Sequence, residues 1–293
     1  MTQYSSPETR PIRNAGCLII GDEILNGKIL DTNSYNFARY CFNNLSIPLK
    51  RTIVCGDSEK DIVDSLNILL KQDQLDLVIT SGGLGSTHDD ITYKAIADYF
   101  DLDYRLDQEV VDRMHRVRGD YLADLKPDQL SAFYKMATLP VAKGNSSSKV
   151  EKYFIGEDLW FPLVALNDQV YILPGIPQLF TRLIDEMEPY LKKRIEASTY
   201  TRKYVQTTTK ESELAPFLSS LQDRCNARFG PDTIKLGSYP HMNWHINTIS
   251  IIGIDIDAAE LQKIVEELVE NIGGQAKEIT EQQEDYLTNE DPK

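Results

Sequence analysis

Between Val78 and Asp90 the chain reads Val-Ile-Thr-Ser-Gly-Gly-Leu-Gly-Ser-Thr-His-Asp-Asp, an apolar run that breaks into glycines and ends in carboxylates. Gly82, Gly83 and Gly85 remove Cβ atoms where a backbone must turn sharply or approach a ligand closely. The amides exposed by such a turn, with those opening the next helix, favour anions. Ser81, Ser86, Thr87 and His88 add polar groups to the same turn. Asp89 and Asp90 stand at its rim, where a carboxylate facing a phosphate is repulsive unless a hard cation such as Mg²⁺ lies between them. The glycines therefore predict phosphate, and the aspartates predict a divalent metal. The same residues also describe an ordinary strand-to-helix connection with Asp90 as helix N-cap, and no full Walker signature decides between the two.

A second loop carries the same chemistry. Gly21, Asp22, Glu23, Gly27, Asp31 and Asn33 follow the apolar run Gly16–Ile20, placing three carboxylates and two glycines after a strand. Asp31 could cap the helix that follows or join Asp90 at one edge, where two carboxylates beside an anion nest suit a Mg²⁺–phosphate site. Asp57 reads as the N-cap of the helix from Glu59 or as a third contributor, with the cap favoured. A third strand, Val170–Leu173, runs into Pro174-Gly175-Ile176-Pro177.

Other reactive groups read more simply. His88 stands alone in a polar loop, and His241 and His245 flank Trp244 in a hairpin pattern that does not suit a helical metal pair. Ser81 and Ser86 have no neighbouring base and no G-x-S-x-G context, so nucleophilic catalysis has no support. Cys17, Cys41, Cys55 and Cys225 are too widely spaced for a zinc knuckle or a redox pair.

The elements that must position these loops alternate. Strand at Gly16–Ile20, helix from Thr32 or Asn33, strand at Leu49–Val54, helix at Glu59–Lys71 and strand at Leu77–Thr80 predict a parallel sheet with helices on both faces. Right-handed crossovers then align the strand-end loops along one edge, where open sheets bind ligands. Helices continue at Tyr93–Tyr99, Gln108–Val117, Gln129–Met136 and Gln178–Ile195, with a flexible loop at Lys143–Ser148. The fold expected is a three-layer αβα domain with a mostly parallel sheet over residues 12–198. A small α+β domain follows over 199–274. Residues 1–11 read as a disordered N-terminus and 275–293 as an acidic flexible tail.

The sequence of 293 residues is 41% hydrophobic, enough to bury a sizeable core. Its 31 basic and 45 acidic residues give a net charge of -14, which argues against nucleic acid or an anionic membrane as partner. The basic run Lys192-Lys193-Arg194 ends a helix, where cations are favoured. Absence of an apolar leader or membrane-length run, with unpaired cysteines, places the expected location in the cytosol with the nucleus left open.

Taken in order, Gly21-Asp22-Glu23-Ile24-Leu25, Gly27, Asp31-Thr32-Asn33, the Thr80–Thr92 segment and Leu173–Pro177 resemble the molybdopterin-binding (MoaB/Mog-like) fold family. The CinA-like branch, whose domain also forms the N-terminal half of animal-type FAD synthases, is the most similar. The resemblance covers residues 12–197, and more loosely the domain carrying Gly237-Ser238-Tyr239-Pro240. It implies a phosphorylated nucleotide or pterin as ligand and a divalent metal, Mg²⁺ or Co²⁺, held by Asp31 and Asp90. It implies hydrolysis of a nucleotide pyrophosphate such as FAD or ADP-ribose, with Asp90, Asp89 and Asp31 as the catalytic carboxylates. Gly21, Asp22, Glu23, Asn33, Ser81, Gly82, Gly83, Gly85, Ser86, Thr87, His88, Pro174 and Gly175 would then line the ligand. A non-catalytic binding protein and a molybdenum-cofactor biosynthesis protein are the alternatives, and the family also allows a homo-oligomer. The sequence departs from the CinA-like pattern in carrying Trp160-Phe161-Pro162 where that branch has small residues ending in Ala-Pro-Gly.

Overall fold

The computed structural model describes residues 10–144, 147–196 and 198–289, which divide into two compact units, Met1–Ala197 and Ser198–Lys293. The first is the expected three-layer α/β unit. Its centre is β1 (Ala15–Ile20), all of whose residues are buried. Along β1 the side chains alternate, as a strand requires. Leu18 and Ile20 enter a core with Ile62, Leu66, Ile96 and Met114. Cys17 and Ile19 enter the opposite one with Phe37, Phe180 and Leu183. A strand buried on both faces reads as a continuous apolar run, which is why the pattern of residues 16–20 pointed to a doubly covered sheet.

The sheet has six strands in the order β2-β1-β3-β8-β7-β6. Strands β2 (Leu49–Cys55) and β3 (Leu77–Ser81) flank β1 in parallel, and β8 (Val170–Leu173) pairs in parallel with β3. Two short strands absent from the sequence reading complete it: β7 (Leu163–Leu166) and β6 (Val150–Tyr153), each antiparallel to its inner neighbour. A separate antiparallel pair joins β4 (Asp103–Leu106) to β5 (Thr138–Val141).

The short α1 (Asp22–Leu25) and α2 (Asn33–Asn43) follow β1, and α3 (Glu59–Asn67) follows β2. Next come α4 (Thr92–Tyr99), α5 (Gln108–Ala123), α6 (Pro127–Tyr134) and α7 (Pro177–Lys192). α5 runs past the expected Val117 end because the backbone only kinks at Arg118, where φ is -130°. Of the residues 1–11 expected to be disordered, 1–9 lie outside the described residues, and the chain from Arg10 is anchored. The Arg10 carbonyl accepts from Arg194 Nε at 3.0 Å, and Ile12 is buried and exchanges backbone bonds with Arg194 and Glu196. The loop expected at Lys143–Ser148 lies partly outside the described residues, at 145–146.

The second unit is a four-stranded antiparallel sheet in the order β10-β11-β9-β12. It is built from β9 (Tyr200–Thr207), β10 (Ile234–His241), β11 (Ile246–Ile254) and β12 (Lys277–Ile279). Helices α8 (Glu211–Phe229) and α9 (Ala258–Asn271) cover it through Leu214, Leu221, Leu261 and Leu268. Here the acidic flexible tail expected over 275–293 is corrected for its described residues, 275–289, the rest lying outside them. β12 pairs with β9, and α10 (Glu281–Asn289) buries Leu287 in a cluster with Tyr204 and Ile279. Two apolar anchors, Ile279 and Leu287, outweigh the acidic composition around them. Leu287→Ala is therefore expected to cost about 2 kcal/mol in urea unfolding, whereas a solvated tail would give no measurable change.

Candidate functional site

Parallel pairing brings the carboxyl ends of β2, β1, β3 and β8 to one edge, and their loops are bonded together there. The Gly21 amide donates to the Cys55 carbonyl at 3.0 Å, and the Gly82 amide to the Leu173 carbonyl at 3.2 Å. Gly82 has φ +113°, and a Cβ built on it would stand 2.0 Å from the Ile20 carbonyl oxygen. A Cβ on Gly175 would stand 3.2 Å from the Gly82 Cα, so three backbones meet at Gly82. Gly83, at φ +64°, is held from the other side: the Thr92 hydroxyl donates to the Gly82 carbonyl at 3.0 Å, and the Thr92 amide to the Gly83 carbonyl at 3.1 Å. Among the described residues the amides of Gly83, Leu84, Gly85 and Ser86 donate to no protein acceptor. Successive unspent amides in a glycine turn are groups from which an anion-binding concavity can be built.

Asn33 joins the three predicted loops. Its side-chain amide donates to Ser81 Oγ at 2.9 Å and to the Gly175 carbonyl at 2.8 Å, while Ser81 donates to the Pro174 carbonyl at 3.4 Å. Asn33 and Ser81 are both buried, so the bond between them is shielded from water and costly to leave unmade. Asn33→Ala is expected to cost about 2–3 kcal/mol in denaturant unfolding. A change below about 0.5 kcal/mol would show that the amide does not hold the loops.

The carboxylates divide by what they bind. Asp31 stands one residue before Thr32, the N-cap of α2, and spends its carboxylate on the helix start: its Oδ1 accepts from the Asn33 and Ser34 amides, each at 3.0 Å, and its Oδ2 from the Ser34 hydroxyl. Asp90 folds over Gly85 and accepts through Oδ2 from the Thr87 amide at 2.9 Å and from the Thr87 hydroxyl. It is not the N-cap of α4, which is Ile91. Its Oδ1 has no hydrogen-bond partner among the described residues. Asp89 is held below the usual carboxylate range, first by the Thr87 hydroxyl and then by its own amide, His88 and Lys135. The His88 side chain is 97% exposed and only faces Asp89 at 3.9 Å, so solvated is the better description.

Asp57 is likewise not the cap of α3, a role taken by Ser58, which accepts from the Asp61 amide. Asp57 instead accepts from the Asp22 amide at 2.8 Å, and Asp22 Oδ1 faces the Asp57 amide at 3.4 Å. Glu23 folds its carboxylate over Gly21. Burial first, then the like charges of Glu23, Asp22 and Asp89, raise the Asp57 carboxyl above its ordinary value. A carboxyl raised on folding contributes stability that is present below its unfolded value and lost as pH rises through the folded one. Asp57→Asn keeps an acceptor for the Asp22 amide and removes that loss. Its urea midpoint relative to wild type should rise from about pH 4 to about pH 7; a falling difference would contradict the assignment.

No three His, Cys, Asp or Glu side chains group as a metal cage among the described residues. The donors present suit a cation completed by ligand oxygens and water, as Mg²⁺ commonly is: one open carboxylate oxygen on Asp90, beside carboxylates that repel one another. Thiol chemistry is not offered, since burial pushes the Cys55 thiol up to about 11 and raises Cys17 and Cys41 as well. Two residues at the site are not among those expected to line it. Thr92, which closes the Thr80–Thr92 motif, is buried under Gly82 and Gly83, and Lys135, outside every motif, donates its ammonium to the Thr87 carbonyl. Only the fold brings Lys135 to a turn so distant in sequence.

Comparison with known proteins gives a consistent set. A family described as "Probable molybdopterin binding domain" matches residues 16–193. A probable FAD synthase from Caenorhabditis elegans is 28% identical over 82% of this chain and 46% of its own length. A CinA-like protein from Syntrophobacter fumaroxidans is 30% identical over 91% of this chain and 59% of its own length. The chain thus spans about half the length of these curated relatives. A solved CinA structure from Thermoplasma acidophilum, described as of unknown function, is 29% identical, with a TM-score of 0.48 over 61% of this chain and 98% of that one. No helix among the described residues is long and apolar enough to cross a membrane.

Proposed function

Because the chain belongs to the family of molybdopterin-binding domains, we propose that its glycine turn binds the phosphates of a nucleotide or pterin. We further propose metal-dependent hydrolysis of a nucleotide pyrophosphate, FAD or ADP-ribose, to AMP and a second monophosphate. The observation that carries the reading is the run of unspent amides from Gly83 to Ser86, fixed in place by Asn33, Thr92 and the close backbone contacts at Gly82. The FAD synthase name of the nematode relative supports an adenine or flavin nucleotide, and the family description supports a pterin.

In this reading the amides of Gly83–Ser86 hold phosphoryl oxygens and stabilise charge developing on them. Asp90 would hold Mg²⁺ or Co²⁺ through its open oxygen, and such a cation neutralises charge and polarises a phosphoryl oxygen. Asp89, an exposed carboxylate held below its usual range, is a weak base and serves to orient water. The water oxygen forms a new bond to one phosphorus, the bridging oxygen leaves with the other phosphate, and the water proton passes to solvent. Asp31 holds the start of α2 and, through it, Asn33.

The engagement of Asp31 and Asp90 in bonds of their own loops favours a second reading, a binding protein without chemistry. Chromatography of FAD and ADP-ribose incubated with the purified protein and Mg²⁺ or Co²⁺ separates the two. AMP that forms with metal and stops with a chelator is expected for the hydrolase. No AMP with either metal would overturn it in favour of binding alone.

A further inference from the structure

Beside the glycine turn lies a cavity of about 400 Å³. Asp90 and Ile91, which end the turn, form one wall, and Tyr104, Leu106, Tyr134 and Lys135 stand among the residues of the rest. We propose that this cavity receives the flat heteroaromatic ring of the phosphorylated ligand, a purine, flavin or pterin, with the Lys135 ammonium at the junction between ring and phosphate. The proposal rests on the phosphate reading of the glycine turn and adds the part of the site that selects the rest of the molecule.

Three observations carry it. The first is charge. Lys135 donates to the Thr87 carbonyl and forms no ion pair with a carboxylate among the described residues, although the whole chain carries a net charge of -14. A cation fixed to a backbone carbonyl of the turn, near Asp89 but in no ion pair with it, still has donors to offer an anion. Lys94, at the same cavity, is by contrast paired with Asp98. The second is the wall. Tyr104 and Tyr134 are half-buried, the Tyr134 hydroxyl is already bonded to His115 Nε2 at 2.6 Å, and Leu106 is 52% exposed. Rings and an exposed leucine beside a cation suit an aromatic ligand that bears negative charge. The third is size, since the volume falls within the range of small-molecule sites.

A larger cavity of about 550 Å³ lies along the first turns of α7, between Pro177 and Glu186. It is a poorer candidate for an anion. Asp185 and Glu186 line it, and Arg182, which lines it too, is already bonded through both terminal nitrogens to Asp158.

The test uses calorimetric binding of AMP and of inorganic pyrophosphate to the full chain. Ser131→Trp fills the cavity from an exposed position on α6, and Leu106→Trp fills it from β4 should the first variant fold poorly. Each is expected to weaken AMP about tenfold while leaving pyrophosphate within about twofold. Lys135→Ala is expected to weaken both probes about tenfold. Unchanged AMP affinity in the filled variants would overturn the ring subsite while pyrophosphate binding left the phosphate site standing. If the wild type bound neither probe, both readings would fall.

Discussion

Gly82→Ala is expected to destabilise the α/β unit by about 3 kcal/mol and to abolish phosphate binding. A new Cβ would stand 2.0 Å from the Ile20 carbonyl oxygen and 3.1 Å from the carbon behind it. Those atoms belong to β1, the strand buried on both faces, and cannot swing aside as a side-chain tip would. Gly82 cannot retreat either. Its amide is bonded to Leu173, its carbonyl takes the Thr92 hydroxyl, and Gly175 crosses its Cα. The backbone angle of +113° adds a strain that L side chains rarely tolerate. Gly27→Ala is the matched control: φ is also positive, at +74°, but nothing lies within 4 Å of the new atom. It should cost about 1 kcal/mol. Denaturant unfolding of the two variants separates close backbone approach from conformational preference, and equal losses would contradict the packing argument.

Asp90→Asn is expected to lower turnover by roughly 10³-fold and to change stability by less than about 1 kcal/mol. The two effects separate because the two oxygens do different things. Oδ2 accepts from the Thr87 amide and hydroxyl, and an asparagine carbonyl can do the same, so the turn keeps its shape. Oδ1 would present an amide in place of a charged oxygen, and a divalent cation would lose its anchor. AMP binding without metal should survive in this variant. Retained turnover would remove Asp90 from the mechanism, and a collapsed turn with lost binding would make its role structural.

Much of this architecture is legible in the chain. Residues 16–20, 77–80 and 170–173 are apolar runs that end in glycine or proline turns, and burial on both sheet faces demands that pattern. The sheet order then places their loops along one edge, with Asn33, Ser81 and Gly175 in direct contact. Legibility fails where tertiary pairing decides. Val150–Tyr153 and Leu163–Leu166 are too short to show a period, and become strands only because Leu163–Leu166 adds to the edge of β8 and Val150–Tyr153 adds to it in turn. Residues 277–289 look solvated by composition, yet Ile279 and Leu287 pack on Tyr204. Asp57 and Ser58 are adjacent and chemically alike as helix caps, so only the presence of the Asp22 amide assigns Asp57 elsewhere. Asp90 and Thr87 illustrate the same limit, because a carboxylate near a helix start can cap it or close the preceding turn. Lys135 gave no local signal at all, since its partner Thr87 is 48 residues away and only the tertiary fold brings the two together.

The measurement that tests the central claim most directly is a crystal structure of Asp90→Asn with ADP-ribose bound. The account predicts a phosphate of the ligand within hydrogen-bonding distance of the Gly83–Ser86 amides. A ligand bound with both phosphates away from that turn, or seated along α7, would contradict it.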